Sequence, residues 1–262
     1  MSKLPIGVFD SGIGGTSIWK EIQSLLPKEE TIYLADSKNA PYGEKTKEEI
    51  LKLSIKNTEF LLNRKCKLIV VACNTATTNA IDYLRETYKV PFIGIEPAIK
   101  PAALKSKSRT VGVLATKGTL TSSLFHSTSQ NHAEGIEIIE QQGKGLVELV
   151  EQGSLVSTAT RALLEKYLEP MLAKGIDYLV LGCTHYPYLI PLLEELLPEN
   201  VKIIDSGEAV ARQVKSILEQ HDILNNAKMD GKHQFYTNYD AELLARFLEE
   251  SIAPLKVDYL DF

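Results

Sequence analysis

The chain has 262 residues, 44% of them apolar and 24% charged, a composition and length that suit two lobes of about 100–150 residues, each burying its own core. A formal net charge of −5 leaves no basic footprint for nucleic acid, and no apolar run approaches the roughly 18 residues that a membrane span requires. Three cysteines, an odd number, make a poor disulfide framework, so free thiols are expected.

In chain order, the first strand is predicted at 6–10. It is reached by Pro5 with no room for a signal peptide, so a cytoplasmic protein is expected. The strand runs into a glycine-rich turn, Asp10-Ser11-Gly12-Ile13-Gly14-Gly15, and a second strand at 31–36 ends on Asp36. Strand, glycine turn, helix and a later acid invite a dinucleotide-binding reading. Against it, the third glycine of that fingerprint falls at Ser17, and Asp10 would face the pyrophosphate. Amides at a helix start hold a carboxylate as readily as a phosphate.

A helix at 46–63 carries the charge cluster Lys45 to Lys52 on a solvated face, and the apolar run Leu68–Val71 then reads as a buried parallel strand. It breaks at Ala72-Cys73-Asn74-Thr75, where helix-capping residues follow the thiol. Further strands are predicted at 91–95, 110–115 and 136–140, a helix at 155–173, and a strand at 177–182 that breaks at Gly182-Cys183-Thr184-His185. A strand at 201–205 and a helix at 208–220 follow. His126, His132, His221 and His233 read as surface residues, and Cys66 as incidental.

Much of this order is stated twice. Ile6 to Ser11 matches Val111 to Thr116 at an offset of 105, while Cys73 matches Cys183, and Pro91 to Glu96 matches Val201 to Ser206, at 110. The expected fold is α/β, with two pseudo-symmetric lobes, each a mainly parallel sheet flanked by helices, and an active site in the cleft between them. Pro97 and Ser206-Gly207 mark the crossings, giving lobes of 1–97 plus 207–262 and of 98–206, with the tail folding back onto the first lobe.

Each thiol then lies at the carboxyl end of a strand, where open α/β sheets bind ligands. A free thiol is about 3% ionised at neutral pH, and a helix amino terminus favours the thiolate. Two thiolates in one cavity would repel, so one thiolate and one thiol are expected. A base and an acid on opposite faces of a carbon invert a stereocentre. Ser11, Asn74, Thr75 and Thr184 are candidate donors toward a substrate carboxylate, Asp10 can meet an ammonium group or assist Cys73, and His185 can assist Cys183 beside it.

The blocks IGVFDSGIGG at 6–15, ADSKNAPYGEKT at 35–46, ACNTAT around Cys73, GIEPAIKPA at 94–102 and GCTHYP around Cys183 closely resemble the bacterial glutamate racemases, over residues 6 to about 215. The resemblance implies an isomerase without cofactor or metal that interconverts L- and D-glutamate, supplies the D-isomer for peptidoglycan, and works as a homodimer. It further implies that Cys73 acts on D-glutamate and Cys183 on L-glutamate, with Asp10 and His185 tuning them and Glu151 a further carboxylate on the Cys183 side. Asp10, Ser11, Pro41, Tyr42, Gly43, Asn74, Thr75, Thr116, Thr184 and His185 are the expected substrate contacts. Tyr188 and Glu96 depart from the family pattern, away from the expected chemistry. The chain lacks the amino-terminal extension through which some relatives are activated, so that regulation is not expected. An aspartate racemase shares the same two-thiol logic, and a two-lobed amino-acid binder would use the same crevice without chemistry.

Overall fold

The computed structural model describes residues 2–132, 135–249 and 255–262, apart from the side chains of 131 and 132. Among the described residues are ten strands: β1 (Ile6–Asp10), β2 (Thr31–Ala35), β3 (Leu68–Val71), β4 (Phe92–Gly94), β5 (Thr110–Ala115), β6 (Glu137–Gln142), β7 (Tyr178–Gly182), β8 (Lys202–Ile204), β9 (His233–Thr237) and β10 (Leu255–Tyr259). They form two sheets, ordered β10-β9-β2-β1-β3-β4 and β6-β5-β7-β8, and each ladder is parallel. The chain therefore takes the same path, second-first-third-fourth, through each sheet. β1 and β5 are buried along their whole length because helices cover both faces.

Those helices are α1 (Thr16–Leu25), α2 (Lys47–Asn63), α3 (Asn74–Thr87), α4 (Ile99–Lys105), α5 (Lys117–Leu120), α6 (Ser123–His132), α7 (Leu146–Glu151), α8 (Thr158–Ala173), α9 (Ile190–Leu196), α10 (Gly207–Gln220) and α11 (Ala241–Arg246). The Thr46 hydroxyl and Glu49 carboxylate form a reciprocal capping box that fixes the start of α2. Cys73 is itself the N-cap of α3. After β7 the chain differs from the expected helix start. Tyr186–Leu189 forms a 3-10 turn before α9, with Pro187 unable to donate a backbone bond.

The tail contributes α10, which packs on α1, and two strands that the duplication did not reveal. β9 inserts between β2 and β10, so alternate residues of His233–Thr237 face inward. His233 is therefore buried, correcting its reading as a surface residue: Nδ1 lies 2.9 Å from Thr31 Oγ1, and its ring meets Trp19 edge-on at 5.2 Å. Burial holds its pKa down at about 4. His126 and His221 are exposed, while the His132 side chain lies outside the described residues. A buried ion pair, Lys67–Glu29 at 2.7 Å, also moors the tail, since Lys67 donates to the Ile223 carbonyl and Glu29 accepts from the Asn225 N–H. Cys66 is buried at the far end of β3, and desolvation pushes its thiol up to about 12, which leaves it a small hydrophobe. No helix among the described residues is long and apolar enough to cross a membrane.

Candidate active site

The carboxyl ends of β1, β3, β5 and β7 converge on one narrow, nearly closed cleft with a cavity volume of about 10 Å³, lined by residues that follow strands of both sheets. Both thiols line it. Of the residues singled out from the sequence, Ser11, Pro41, Tyr42, Gly43, Cys73, Asn74, Thr75, Thr116, Cys183, Thr184 and His185 lie in its wall. Asp10 and Glu151 stand behind that wall, each bonded to residues in it or in the glycine turn. Two lining residues went unrecognised, Val147 and Gly182. Gly182 immediately precedes a singled-out thiol, and Val147 lies four residues before Glu151 on α7, hence on the same helical face.

The surroundings of the two sulfurs differ. Cys73 Sγ accepts the Ala76 N–H at 3.4 Å and lies 3.5 Å from Ser11 Oγ. Despite this helix-start contact, burial holds the Cys73 thiol far above its ordinary pKa, with the Asp10 charge adding to the effect. Desolvation thus outweighs the helix terminus, and in this closed cleft Cys73 is a thiol. Cys183 Sγ lies 3.7 Å from His185 Nδ1, and His185 Nε2 lies 2.6 Å from Glu151 Oε1. Burial alone would lower the His185 pKa, but its bonds to Cys183 and Glu151 overcome this and hold it well above the ordinary value. A histidine held toward its charged form therefore stands beside Cys183.

The glycine turn serves these groups. Asp10 Oδ2 accepts the N–H groups of Gly12 and Gly15 at 3.2 and 2.9 Å, so amides that a dinucleotide phosphate would need are already engaged by the protein's own carboxylate. Its Oδ1 accepts the Thr184 hydroxyl at 3.2 Å, and burial raises its pKa to about 6. The Ile13 N–H donates to Glu151 Oε1 at 2.7 Å. A Cβ on Gly12 would stand 1.9 Å from Glu151 Oε1, and one on Gly14 would stand 2.4 Å from His185 Nδ1. These glycines give the His185–Glu151 pair room to close against the first sheet.

The second lobe's equivalent turn answers it on the other side. Thr116 Oγ1 lies 2.8 Å from Thr75 Oγ1 and 3.1 Å from Thr119 Oγ1, and a Cβ on Gly43 would stand 2.8 Å from Thr116 Cβ. Asn74 is nearly fully buried at the cleft, yet neither its amide nitrogen nor its oxygen has a protein partner. Such a group is costly unless something satisfies it. Tyr188 lies closer to the site than its departure from the family pattern suggested, its hydroxyl 2.5 Å from Thr16 Oγ1 at the end of the glycine turn. Asp36, the acid of the dinucleotide reading, is fully buried and accepts from Tyr42, Asn39 and Asn238.

Comparison with known proteins places this architecture. A profile of the Asp/Glu/hydantoin racemase family matches residues 6–214. The chain is 51% identical over 224 residues, 85% of each chain, to a glutamate racemase of Ectopseudomonas mendocina. Its fold is similar to the crystal structure of glutamate racemase from Francisella tularensis in complex with D-glutamate, with a TM-score of 0.84 and 31% identity over 100% of this chain and 99% of that one. It is also similar to the Escherichia coli glutamate racemase in complex with L-glutamate and the activator UDP-MurNAc-Ala, with a TM-score of 0.85 and 34% identity over 98% and 99%. Matched by the family profile over residues 6–214, by a curated relative over 85% of its length and by solved folds over 98% or more, this protein belongs to the Asp/Glu/hydantoin racemase family of isomerases and, within it, to the bacterial glutamate racemases.

Proposed function

We propose that the chain interconverts L- and D-glutamate without a cofactor, using Cys73 and Cys183 as paired acid and base, and that its D-glutamate feeds peptidoglycan synthesis in the cytoplasm. The observation that carries this reading is that both thiols, one from each sheet, line a single cleft. Relatives that hold D-glutamate in one structure and L-glutamate in another support glutamate as the substrate. In this reading the lobes run 1–97 with 207–262 and 98–206, and the protein works as a homodimer.

For L-glutamate, the Cys183 thiolate beside the His185 imidazolium takes the α-proton, and the electron pair of the broken C–H bond passes into the substrate carboxylate. The Cys73 thiol gives its proton to the opposite face, forming the new C–H bond. The sulfurs exchange roles for D-glutamate, with Asp10 as the carboxyl group on the Cys73 side. Turnover of about 10 per second needs a barrier of roughly 16 kcal/mol, while positioned acids and bases supply about 10²- to 10⁴-fold. Fixed donors to the substrate carboxylate must add to that. Asn74, with an unused amide at the cleft, and the hydroxyls of Ser11, Thr75, Thr116 and Thr184 are placed for it.

The test is racemisation of L-glutamate in heavy water by dialysed enzyme, followed by chiral chromatography and mass spectrometry, with L-aspartate run alongside. D-glutamate carrying deuterium at the α-carbon is expected, and Cys73→Ala and Cys183→Ala should each lower the rate by about 10²- to 10⁴-fold in both directions. Near-parental turnover by either variant would defeat the two-thiol scheme. Binding without exchange would identify a binder, and faster turnover of aspartate would reassign the substrate.

A further inference from the structure

The cleft wall on the Cys73 side includes Pro41, Tyr42 and Gly43, which belong to an irregular segment after β2. Two 3-10 turns, Ser37–Asn39 and Tyr42–Glu44, make up most of it, and such short turns do not hold a fixed position by themselves. What fixes this segment is a buried polar cluster centred on Asp36. That carboxylate is fully buried and accepts from the Tyr42 hydroxyl at 2.5 Å on one oxygen, and from Asn39 Nδ2 at 2.8 Å and Asn238 Nδ2 at 2.5 Å on the other. Asn57 Nδ2 donates in turn to the Tyr42 hydroxyl at 3.2 Å.

Asn238 differs from the other members in origin and in what it does. It follows β9 in the tail, beyond residue 214 where the family match ends, and it is buried. Its amide works in both directions: Nδ2 donates to Asp36, while Oδ1 accepts the Lys38 N–H at 2.9 Å. One side chain thus grips the segment at two points. Because Thr237 pairs with Ala35 in register, β9 delivers Asn238 directly beside the residue that opens the segment.

We propose that Asn238 is a positioning residue for glutamate: through Asp36 and Tyr42 it sets where Pro41–Gly43 stand against the substrate, although it lies outside the cleft wall. This rests on the reading of that wall as the glutamate site. Asn238→Ala removes one donor to Asp36 and strands the Lys38 N–H, so the wall loosens while both thiols keep their partners. The expected result is a KM for L-glutamate raised about tenfold with kcat within about threefold of the parent. Asn238→Asp sets two carboxylates face to face and should be at least as impaired. Asp36→Asn combined with Asn238→Asp reverses the pair. The amide introduced in β2's wake can then donate one hydrogen to the carboxylate introduced after β9, which still accepts the Lys38 N–H, and the other to Asn39 once that amide turns its oxygen inward, so KM should return to within about threefold of the parent.

Thermal melts of all variants accompany the kinetics. If Asn238→Ala leaves KM within twofold, or lowers kcat and the melting temperature with KM unchanged, or if the reversed pair fails to recover KM, Asn238 does no positioning. Asn74→Ala is the control on the underlying reading. A raised KM for Asn74→Ala with none for Asn238→Ala overturns this inference alone, whereas an unchanged KM for both overturns the assignment of the cleft.

Discussion

Asp10 is fully buried and carries a pKa raised from 3.8 to about 6 by desolvation, although the N–H groups of Gly12 and Gly15 and the nearby His185 favour its charged form. Between pH 3.8 and 6 the folded protein holds a proton that the unfolded chain has released. Stability therefore falls as pH rises through that window, and above it the buried charge costs about 3 kcal/mol. Asp10→Asn keeps the shape and can satisfy the same neighbours. Urea denaturation should find this variant more stable than the parent by about 1–3 kcal/mol at pH 7.5, with the difference gone near pH 4. The same variant should lose racemisation by at least about 10²-fold. A charge kept where it weakens the fold is what a site under functional demand looks like.

At the scale of elements, the turn between β1 and α1 reads differently in space than in sequence. Its glycines suggested close approach of a backbone to a phosphate, but the group that approaches is the His185–Glu151 pair from the other lobe. Gly14→Ala would drive a methyl into the His185 ring, whose position is already fixed by Glu151 and by its contact with Cys183. The expected outcome is loss of racemisation by about 10²-fold or more, with circular dichroism unchanged, because the methyl meets a side chain and not the sheet. The tail strand β9 makes a comparable point about packing. Phe235 closes on Trp19 at 4.8 Å and on Tyr33 at 5.4 Å, so residues outside the duplication complete the first lobe's core.

Across the whole molecule, one apolar cluster joins the lobes, running from Ile6 and Val8 through Leu114 and Leu179 to Val214 and Phe235. The polar bridges Thr75–Thr116 and Thr184–Asp10 cross the cleft above it. Cys73, Asn74, Cys183 and Thr184 are each at most 7% exposed, so a ligand reaches them only if the cleft widens. Gly118, outside the cleft wall, sits where a Cβ would stand 2.7 Å from Thr75 Cγ2 and 3.2 Å from Gly43 Cα. Gly118→Ala should therefore hold the lobes slightly apart, raising KM for both enantiomers about tenfold while the melting temperature changes little. Steady-state kinetics in both directions, with a thermal melt, check this.

The sequence by itself determined the parallel strands that carry the thiols, their placement at strand ends, and the pairing of the lobes, because buried runs, small residues and caps are local signals and the duplication repeats them. It also marked most of the cleft wall, since those residues stand directly beside the thiols or within distinctive blocks. His185 beside Cys183 was legible from their spacing of two residues, but only the tertiary structure put Ser11 against Cys73 and Glu151 behind His185, because those groups come from distant elements. The same holds for β9, whose five residues alternate too briefly to stand out from a polar neighbourhood, and for the burial of His233 that follows from it. Pairing across the fold, unlike patterning along the chain, is set by which surfaces remain uncovered once the sheets have formed.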